Sequence, residues 1–575
     1  MNTRKIFLCL LAISGLCSAC RQEAKRFTLV SEGSSGIDFS NQLEKRKGFG
    51  ILYYIYYYNG AGVATGDINN DGLPDIYFTA NSKGHNKLYL NKGNFTFEDI
   101  TAQAGVAGTA DWCTGVTMAD VNGDGYLDIY VCAVQGMYGL QGRNQLFINN
   151  GKNAMAGKTP MFTESAAALG LDVAAFSTQA AFFDYDHDGD LDCYIVNQSH
   201  HPNQNITDTI NRRKVDDHAG DRLYRNDISS TGRFTDVSAA AGIYQGNLGY
   251  GLGLAVADLN NDGWDDIYVG NDFHENDYYY INSGKGTFTD GSYTHFRHFS
   301  RFSMGNDIAD YDNDGQPDVI TVDMLPPDEK VLKNYGSNEE LQAYRQKITR
   351  NGYQYQYSRN CLQHNNGNGT SFSDVALATG VAATDWSWTP LLADFDNDGN
   401  KDLFISSGIV KRPMDLDYVR FVSNLSLKQA AAHSDEFDEL ALEKSPEGSS
   451  YCYLYTGVGK GGFTDRGKDW GIQDQKGFYN GAAYADFDND GDLDLVVNAL
   501  NGPALLYKNN STGNHYTSIA LQGEGMNRNG IGAKVYLYAG GQLQYQQQML
   551  TRGFQSAVAP GLHIGLRNAT TIDSL

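Results

Sequence analysis

Disulfide pairs, long apolar runs and basic stripes are all missing from this sequence. Past Cys20 only Cys113, Cys132, Cys193, Cys361 and Cys452 occur. That is an odd number with no C-x-x-C pair, so no disulfide framework is spelled out. Cys132 and Cys193 fall in predicted strands and read as buried apolar fillers. No later stretch approaches the roughly 20 apolar residues that a membrane helix needs. No Lys/Arg stripe suited to phosphates is present, which argues against nucleic acid as a partner. Catalytic signatures are lacking too: there is no nucleophile elbow and no H-E-x-x-H, and no carboxylate pair stands apart from the acidic pattern described next.

A nine-residue acidic pattern is present instead, and it occurs seven times. Its clearest copy is Asp486-Phe487-Asp488-Asn489-Asp490-Gly491-Asp492-Leu493-Asp494. Carboxylates or amides stand at positions 1, 3, 5 and 9, and Gly at position 6. Odd-numbered oxygens curling around one centre suit a hard cation with six to eight oxygen ligands, which points to calcium. Gly at position 6 permits the sharp turn that returns position 9 to the ion. The candidate ligands are Asp67, Asn69, Asp71 and Asp75 in the first loop, and Asp120, Asn122, Asp124 and Asp128 in the second. The third has Asp184, Asp186, Asp188 and Asp192, and the fourth Asp258, Asn260, Asp262 and Asp266. The fifth has Asp310, Asp312, Asp314 and Asp318, the sixth Asp394, Asp396, Asp398 and Asp402, and the seventh Asp486, Asp488, Asp490 and Asp494. Up to seven structural Ca²⁺ ions are expected, and no other cofactor.

These loops are not EF-hands. An EF-hand closes with Glu at position 12 and enters a helix. Here position 12 is Phe78, Val131, Ile195, Val269, Thr321, Ile405 or Val497. The runs that follow each loop, such as Ile76-Tyr77-Phe78-Thr79, are β-branched and aromatic and read as strands. Each loop therefore sits in a hairpin, with position 9 opening the second strand.

The formal charge is −24. The ligand positions carry 25 of the 68 acidic residues, and the remaining 43 nearly balance 44 Lys plus Arg. Acidity is thus concentrated in the ion sites.

At the start, Arg4-Lys5, an apolar run to Leu16 and Cys17-Ser18-Ala19-Cys20 form a predicted signal peptide over residues 1–19. The Ser-Ala-Cys ending resembles a bacterial lipobox, which would make Cys20 the lipidated first residue. Export to the bacterial outer membrane or cell surface, with a lipid anchor, is the expectation. Tyr-rich residues 52–58 read as a packed strand.

A second string follows each loop. Examples are Asn86-Lys-Leu-Tyr-Leu-Asn-Lys-Gly with Phe95-Thr-Phe-Glu-Asp-Ile, and Asp221-Arg-Leu-Tyr-Arg-Asn with Phe234-Thr-Asp-Val. Each unit reads as strand, loop, strand, turn, strand, turn, short strand. Seven such units predict an all-β, seven-bladed propeller over residues 20–513. Insertions fall at 199–220, 323–358 and 411–445, with helices expected near 339–349 and through Leu416, Val419, Val422 and Leu425. His200, His201 and His218 in the first insertion lack the spacing of a zinc site. The insertions should cap one mouth of the ring and carry specificity. From residue 514 a different, smaller β module runs to 575.

Residues 67–494 resemble the FG-GAP/VCBS repeat family, the calcium-loop propellers that include integrin α-chain heads. Residues 514–575 resemble the ASPIC/UnbV domain through Arg528-Asn-Gly-Ile-Gly-Ala-Lys-Val, Arg552-Gly-Phe-Gln-Ser and His563-Ile-Gly-Leu. Members of that family continue past the position of Leu575 with a Trp-containing strand, so an incomplete domain is expected. The combination is similar to Bacteroidetes surface lipoproteins encoded near SusC/SusD-type glycan uptake systems. The resemblance implies a monomeric, calcium-stabilised surface protein presenting propeller loops to a glycan or protein partner. The competing expectation is a carbohydrate-active or other hydrolytic or lyase enzyme with its site at the axial mouth. Absent catalytic motifs favour the non-enzymatic reading.

Overall fold

The computed structural model describes residues 25–46, 48–151, 159–200, 209–336, 341–367, 369–429 and 435–575. Cys20, the signal peptide and His201 lie outside the described residues.

Seven blades, each with four antiparallel strands, surround one axis, and the sheet of blade 1 is widened to six strands by a C-terminal hairpin. Each acidic loop joins the first and second strands of one blade. The seven first strands are Val63–Gly66, Cys113–Ala119, Ser177–Phe183, Gly251–Ala257, Asn306–Ala309, Ser387–Ala393 and Tyr479–Ala485. Each packs beside the first strand of the next blade, and the last packs beside the first, so the ring closes. The second strands open on the position-9 aspartates, from Asp75–Phe78 in blade 1 to Asp494–Ala499 in blade 7. These strands are buried on both faces and Val/Ile/Tyr-rich, as sheets sandwiched between neighbouring blades must be.

Blade 7 takes its outermost strand from the other end of the chain. Phe27–Leu29 pairs antiparallel with Leu505–Asn509, in the register Phe27↔Asn509 and Leu29↔Tyr507. This seam fastens the ring by joining the two ends of the propeller sequence.

Residues 52–58 are not a strand. Ile55–Tyr58 form a 3₁₀ turn, and Tyr54 packs its ring against Phe49 and Trp112. Aromatic content raises strand propensity, but a strand needs a free sheet edge to pair with. Here the rings are drawn into a hydrophobic cluster shared with Phe176, Tyr250 and Phe302.

The three insertions connect second to third strands, at the opposite end of the blades from the acidic loops. They contain the helices Glu329–Asn334, Leu341–Arg350, Leu416–Gln429 and Asp435–Lys444. They also interlock. Arg212 Nε lies 3.0 Å from Glu275 Oε2, and Arg212 Nη1 donates to Gly352 O at 2.7 Å. Gly336 N donates to Met414 O.

The C-terminal module covers the acidic-loop end of the ring. Its strands His515–Ile519 and Leu562–Arg567 pair with each other, as do Lys534–Ala539 and Gln542–Gln547. Between these pairs a tight hairpin, Thr551–Arg552 and Ser556–Ala557, enters the axial channel and joins the sheet of blade 1 through Ala557↔Ala64. Within the channel, Arg552 grips Asp307 of blade 5 through Nε–Oδ1 at 2.8 Å and Nη2–Oδ2 at 3.1 Å. Its Nη1 donates to Tyr484 Oη of blade 7 at 3.0 Å. Phe554 is fully buried against Trp388 of blade 6. One hairpin therefore ties together blades that are distant in sequence, and beside it a cavity of about 500 Å³ remains at this end of the axis, lined by Asp307, Lys401, Tyr484, Arg552 and His563.

Candidate metal centres

Each acidic loop is a closed hydrogen-bonded ring. The position-1 carboxylate accepts the amides of positions 5 and 6: Asp67 takes Asp71 N at 3.1 Å and Gly72 N at 2.7 Å, and Asp486 takes Asp490 N at 3.1 Å and Gly491 N at 2.9 Å. Position 6 is left-handed in every loop, with φ of 86–99° from Gly72 to Gly491, which only Gly adopts without cost. Position 4 is left-handed as well: Asn70, Asn261, Asn313, Asn397 and Asn489, with His187 in the third loop and Gly123 in the second. Asn tolerates this region best among residues with a Cβ.

The position-9 carboxylate anchors the loop to the sheet. In six loops it accepts the amide of position 2, as in Ile68 N to Asp75 Oδ2 at 3.0 Å and Phe487 N to Asp494 Oδ2 at 2.9 Å. Its other oxygen accepts an amide from the third strand, Asn91 N to Asp75 Oδ1 at 2.7 Å being one case.

The expected ligands converge. Oxygens of Asp184, Asp186 and Asp192 lie within 4.8 Å of one another, as do those of Asp310, Asp312 and Asp318, and of Asp394, Asp396 and Asp402. At position 3, Asp186 Oδ1, Asp312 Oδ1 and Asp488 Oδ1 are buried with no hydrogen-bond partner. A buried carboxylate oxygen without a partner is costly, and a cation bound at this repeat position would satisfy all three. Titration agrees. Burial, reinforced by neighbouring carboxylates, pushes Asp310 and Asp394 up to about 7 and Asp396 and Asp486 to about 6. Asp75, Asp128, Asp192 and Asp494 are raised well above the ordinary range by burial. Carboxylates this crowded and dry require a proton or a cation. An all-oxygen donor set suits a hard cation, and the residues present fit one.

Several contributing residues escape the nine-residue pattern. Asp190 and Asp492, at position 7 of loops three and seven, bury an unpartnered Oδ1 beside the position-5 carboxylate. His364, from the third strand of blade 5, puts Nδ1 3.1 Å from Asp318 Oδ1. A third-strand Asn staples each loop to its neighbour. Asn149 Nδ2 donates to Leu127 O of its own loop and to Ile68 O of the preceding loop. Asn91, Asn226, Asn282, Asn365 and Asn509 do the same. In blade 6 the position is Gly457, and the staple is lost.

The C-terminal module docks directly on these loops. Arg528 Nε donates to Gly123 O, and His563 Nε2 sits 2.6 Å from Asn397 Oδ1. Lys534 Nζ bonds Asp258, and Gln547 Nε2 donates to Asp265 at 2.6 Å. The five described cysteines are buried and unpaired, as fillers should be. No described helix is long and apolar enough to cross a membrane.

A family model for the FG-GAP-like repeat matches residues 67–131, 258–321, 352–405 and 434–497, and one for ASPIC and UnbV matches residues 523–575. The chain is 30% identical over 215 residues to cartilage acidic protein 1 of Xenopus tropicalis, covering 37% of this chain and 29% of that protein. It is 44% identical over 73 residues to the Mus musculus protein of the same name, covering 13% of this chain and 11% of that one. The chain thus spans less than a third of the length of these curated relatives. Among solved structures, an Agrocybe aegerita lectin recognising non-reducing terminal N-acetylglucosamine aligns with a TM-score of 0.35 at 16% identity, over 72% of this chain and 84% of that one. An ancestral GH74 enzyme aligns with a TM-score of 0.39 at 9% identity, over 79% of this chain and 49% of that one. By its repeats, its seven blades and its C-terminal module, the chain is an FG-GAP-repeat β-propeller carrying an ASPIC/UnbV domain.

Proposed function

We propose that this is a calcium-stabilised surface binding and scaffold protein, tethered by lipid at Cys20, that presents its insertion face to a glycan or protein partner. One observation carries the reading: the ASPIC/UnbV domain docks on the acidic loops at one end of the ring, so the insertion face is the end it leaves uncovered. Exposed apolar side chains gather there. Leu52, Tyr53, Ile55 and Tyr138 are each 38–50% exposed, and Tyr138 Oη donates to Tyr53 O. Beside them a groove of about 250 Å³ runs between Ile51–Leu52 and the helical insertion at Tyr418, Val419 and Val422. Flat aromatic rings with a polar tip suit either a sugar ring or a protein surface.

Calcium is the ion that best suits the loops, because the candidate donors are carboxylate and amide oxygens closely spaced in a short loop. Burial of the paired carboxylates makes the ions structural rather than catalytic. A partner in a SusC/SusD-type outer-membrane system fits the surface location proposed.

Pull-down from native membranes and a glycan array, both with calcium-loaded protein, test this reading. Wild type is expected to retain a partner that Tyr53→Ala/Tyr138→Ala releases. Turnover of a polysaccharide without stable binding would overturn it. Labelling with a fatty-acid analogue that persists in Cys20→Ala would overturn the anchor.

A further inference from the structure

The fourth loop departs from the other six at both ends of its donor set. At position 1, Asp258 accepts Asp262 N at 3.0 Å and Gly263 N at 2.7 Å, as its counterparts do. It also accepts an ammonium: Lys534 Nζ, carried in by the ASPIC/UnbV domain, is bonded to Asp258 Oδ2. Among the described residues, no other position-1 carboxylate has a lysine or arginine within ion-pair distance; the buried Lys401 acts on Asp394 of the sixth loop without bonding to it.

At position 9 the usual closure is undone. Leu259 N bonds Ala257 O instead of the Asp266 carboxylate. Asp266 Oδ2 accepts Tyr279 Oη at 3.0 Å instead. Gln547, from the same domain as Lys534, accepts Asp258 N at 3.0 Å and donates to Asp265, which fixes the loop in this form.

Lys508 makes a useful contrast. It reaches Asp488 and Asp490 of the seventh loop, at positions 3 and 5. It is about one-third exposed, so it can withdraw to water when an ion arrives. Lys534 is the more buried of the two lysines, at 21% exposure; it enters from a strand of the covering domain and meets a carboxylate, Asp258, that is wholly buried where Asp488 is not.

We propose that Lys534 is the resident cation of the fourth loop, so that the protein holds six calcium ions and one built-in ammonium. This rests on the calcium reading given above. An incoming Ca²⁺ would share one buried carboxylate with a positive charge and would have to pull Asp266 away from Tyr279. Affinity at this loop should be lower than at its neighbours by on the order of a hundredfold or more. The joint between cover and ring at blade 4 then survives removal of calcium, because a covalently attached cation cannot be chelated.

The test counts bound calcium per full-length chain by elemental analysis at saturating free calcium. Wild type should hold six ions, Lys534→Met seven and Lys534→Arg six. Seven ions in wild type would overturn the proposal and leave the calcium reading intact; so would six in folded Lys534→Met. No ions in any variant would remove both. If Lys534→Met fails to fold, anomalous scattering from wild-type crystals grown with calcium decides the matter. Six peaks with Lys534 on Asp258 support the proposal, and a peak within the fourth loop overturns it.

Discussion

Replacing Arg552 by Met should unlock the axial hairpin. The guanidinium is largely buried, and its partner Asp307 is 2% exposed. Beyond the two bonds to Asp307, Arg552 donates to Tyr484 Oη, Ile308 O and Leu392 O. Removing it strands a buried carboxylate, although Ile308 N and Leu392 N still reach Asp307. Breaking one side of a buried pair costs about 3–5 kcal/mol. The loss is local, so it is best read by hydrogen exchange at Gly553, Phe554 and Gln555. Their amides donate to Asn306 O at 2.9 Å, Thr389 Oγ1 at 3.3 Å and Gln179 Oε1 at 2.9 Å. At 1.4 kcal/mol per tenfold, exchange there should speed up by roughly a hundredfold to a few thousandfold. The double variant Arg552→Met/Asp307→Leu removes both charges and should recover most of the protection. Exchange in Arg552→Met within threefold of wild type would refute the claim that this residue locks the hairpin in the channel.

Three further outcomes follow from the same structure. Asn282→Ala leaves Tyr185 O and Asp265 O without their shared donor, and should cost about 1–3 kcal/mol in a denaturant titration. Asn510→Ala, at an exposed position, should cost less than about 0.5 kcal/mol. At Asp374 burial acts to raise the carboxyl, but His298, the Ala376 amide and Arg359 outweigh it and hold it at about 2. Because the folded value lies below the unfolded one, its stabilisation is present above about pH 4 and is lost as pH falls toward 2. The amount is about 2 kcal/mol. Asp374→Asn should flatten that part of the acid titration, and an unchanged acid slope would contradict the assignment.

What the sequence made legible was local. Positions 1, 3, 5, 6 and 9 of each loop could be read because spacing alone brings their oxygens and their turn together. The strand beginning at position 9 followed from the β-branched run behind it. Contacts across blade boundaries were not legible. Asn489 Nδ2 donates to Gly72 O, and Asn397 Nδ2 to Gly491 O, so position 4 links each of these loops to the next in the ring. No spacing within one repeat reveals that. The recurring third-strand Asn could be seen as a repeat, but its reach to the preceding loop appears only once the blades are stacked. The Tyr-rich run at 52–58 misled because aromatic propensity reports a half-buried surface, not a strand as such. Arg552-Gly-Phe-Gln-Ser stood out as a motif, but its place in the axis depends on Asp307, 245 residues away.

The central claim is that the acidic loops clasp calcium and that the ions supply a large share of the stability. With Kd of about 0.1 mM at ~1 mM calcium, each ion contributes about 1.4 kcal/mol, and six contribute about 8 kcal/mol. For a chain of 575 residues, this corresponds to a drop of about 7 °C in the melting temperature on chelation. Thermal unfolding of the full chain in 1 mM calcium against excess EGTA measures it directly. The account predicts a lower melt in EGTA that calcium restores and magnesium does not; superimposable melts would contradict it.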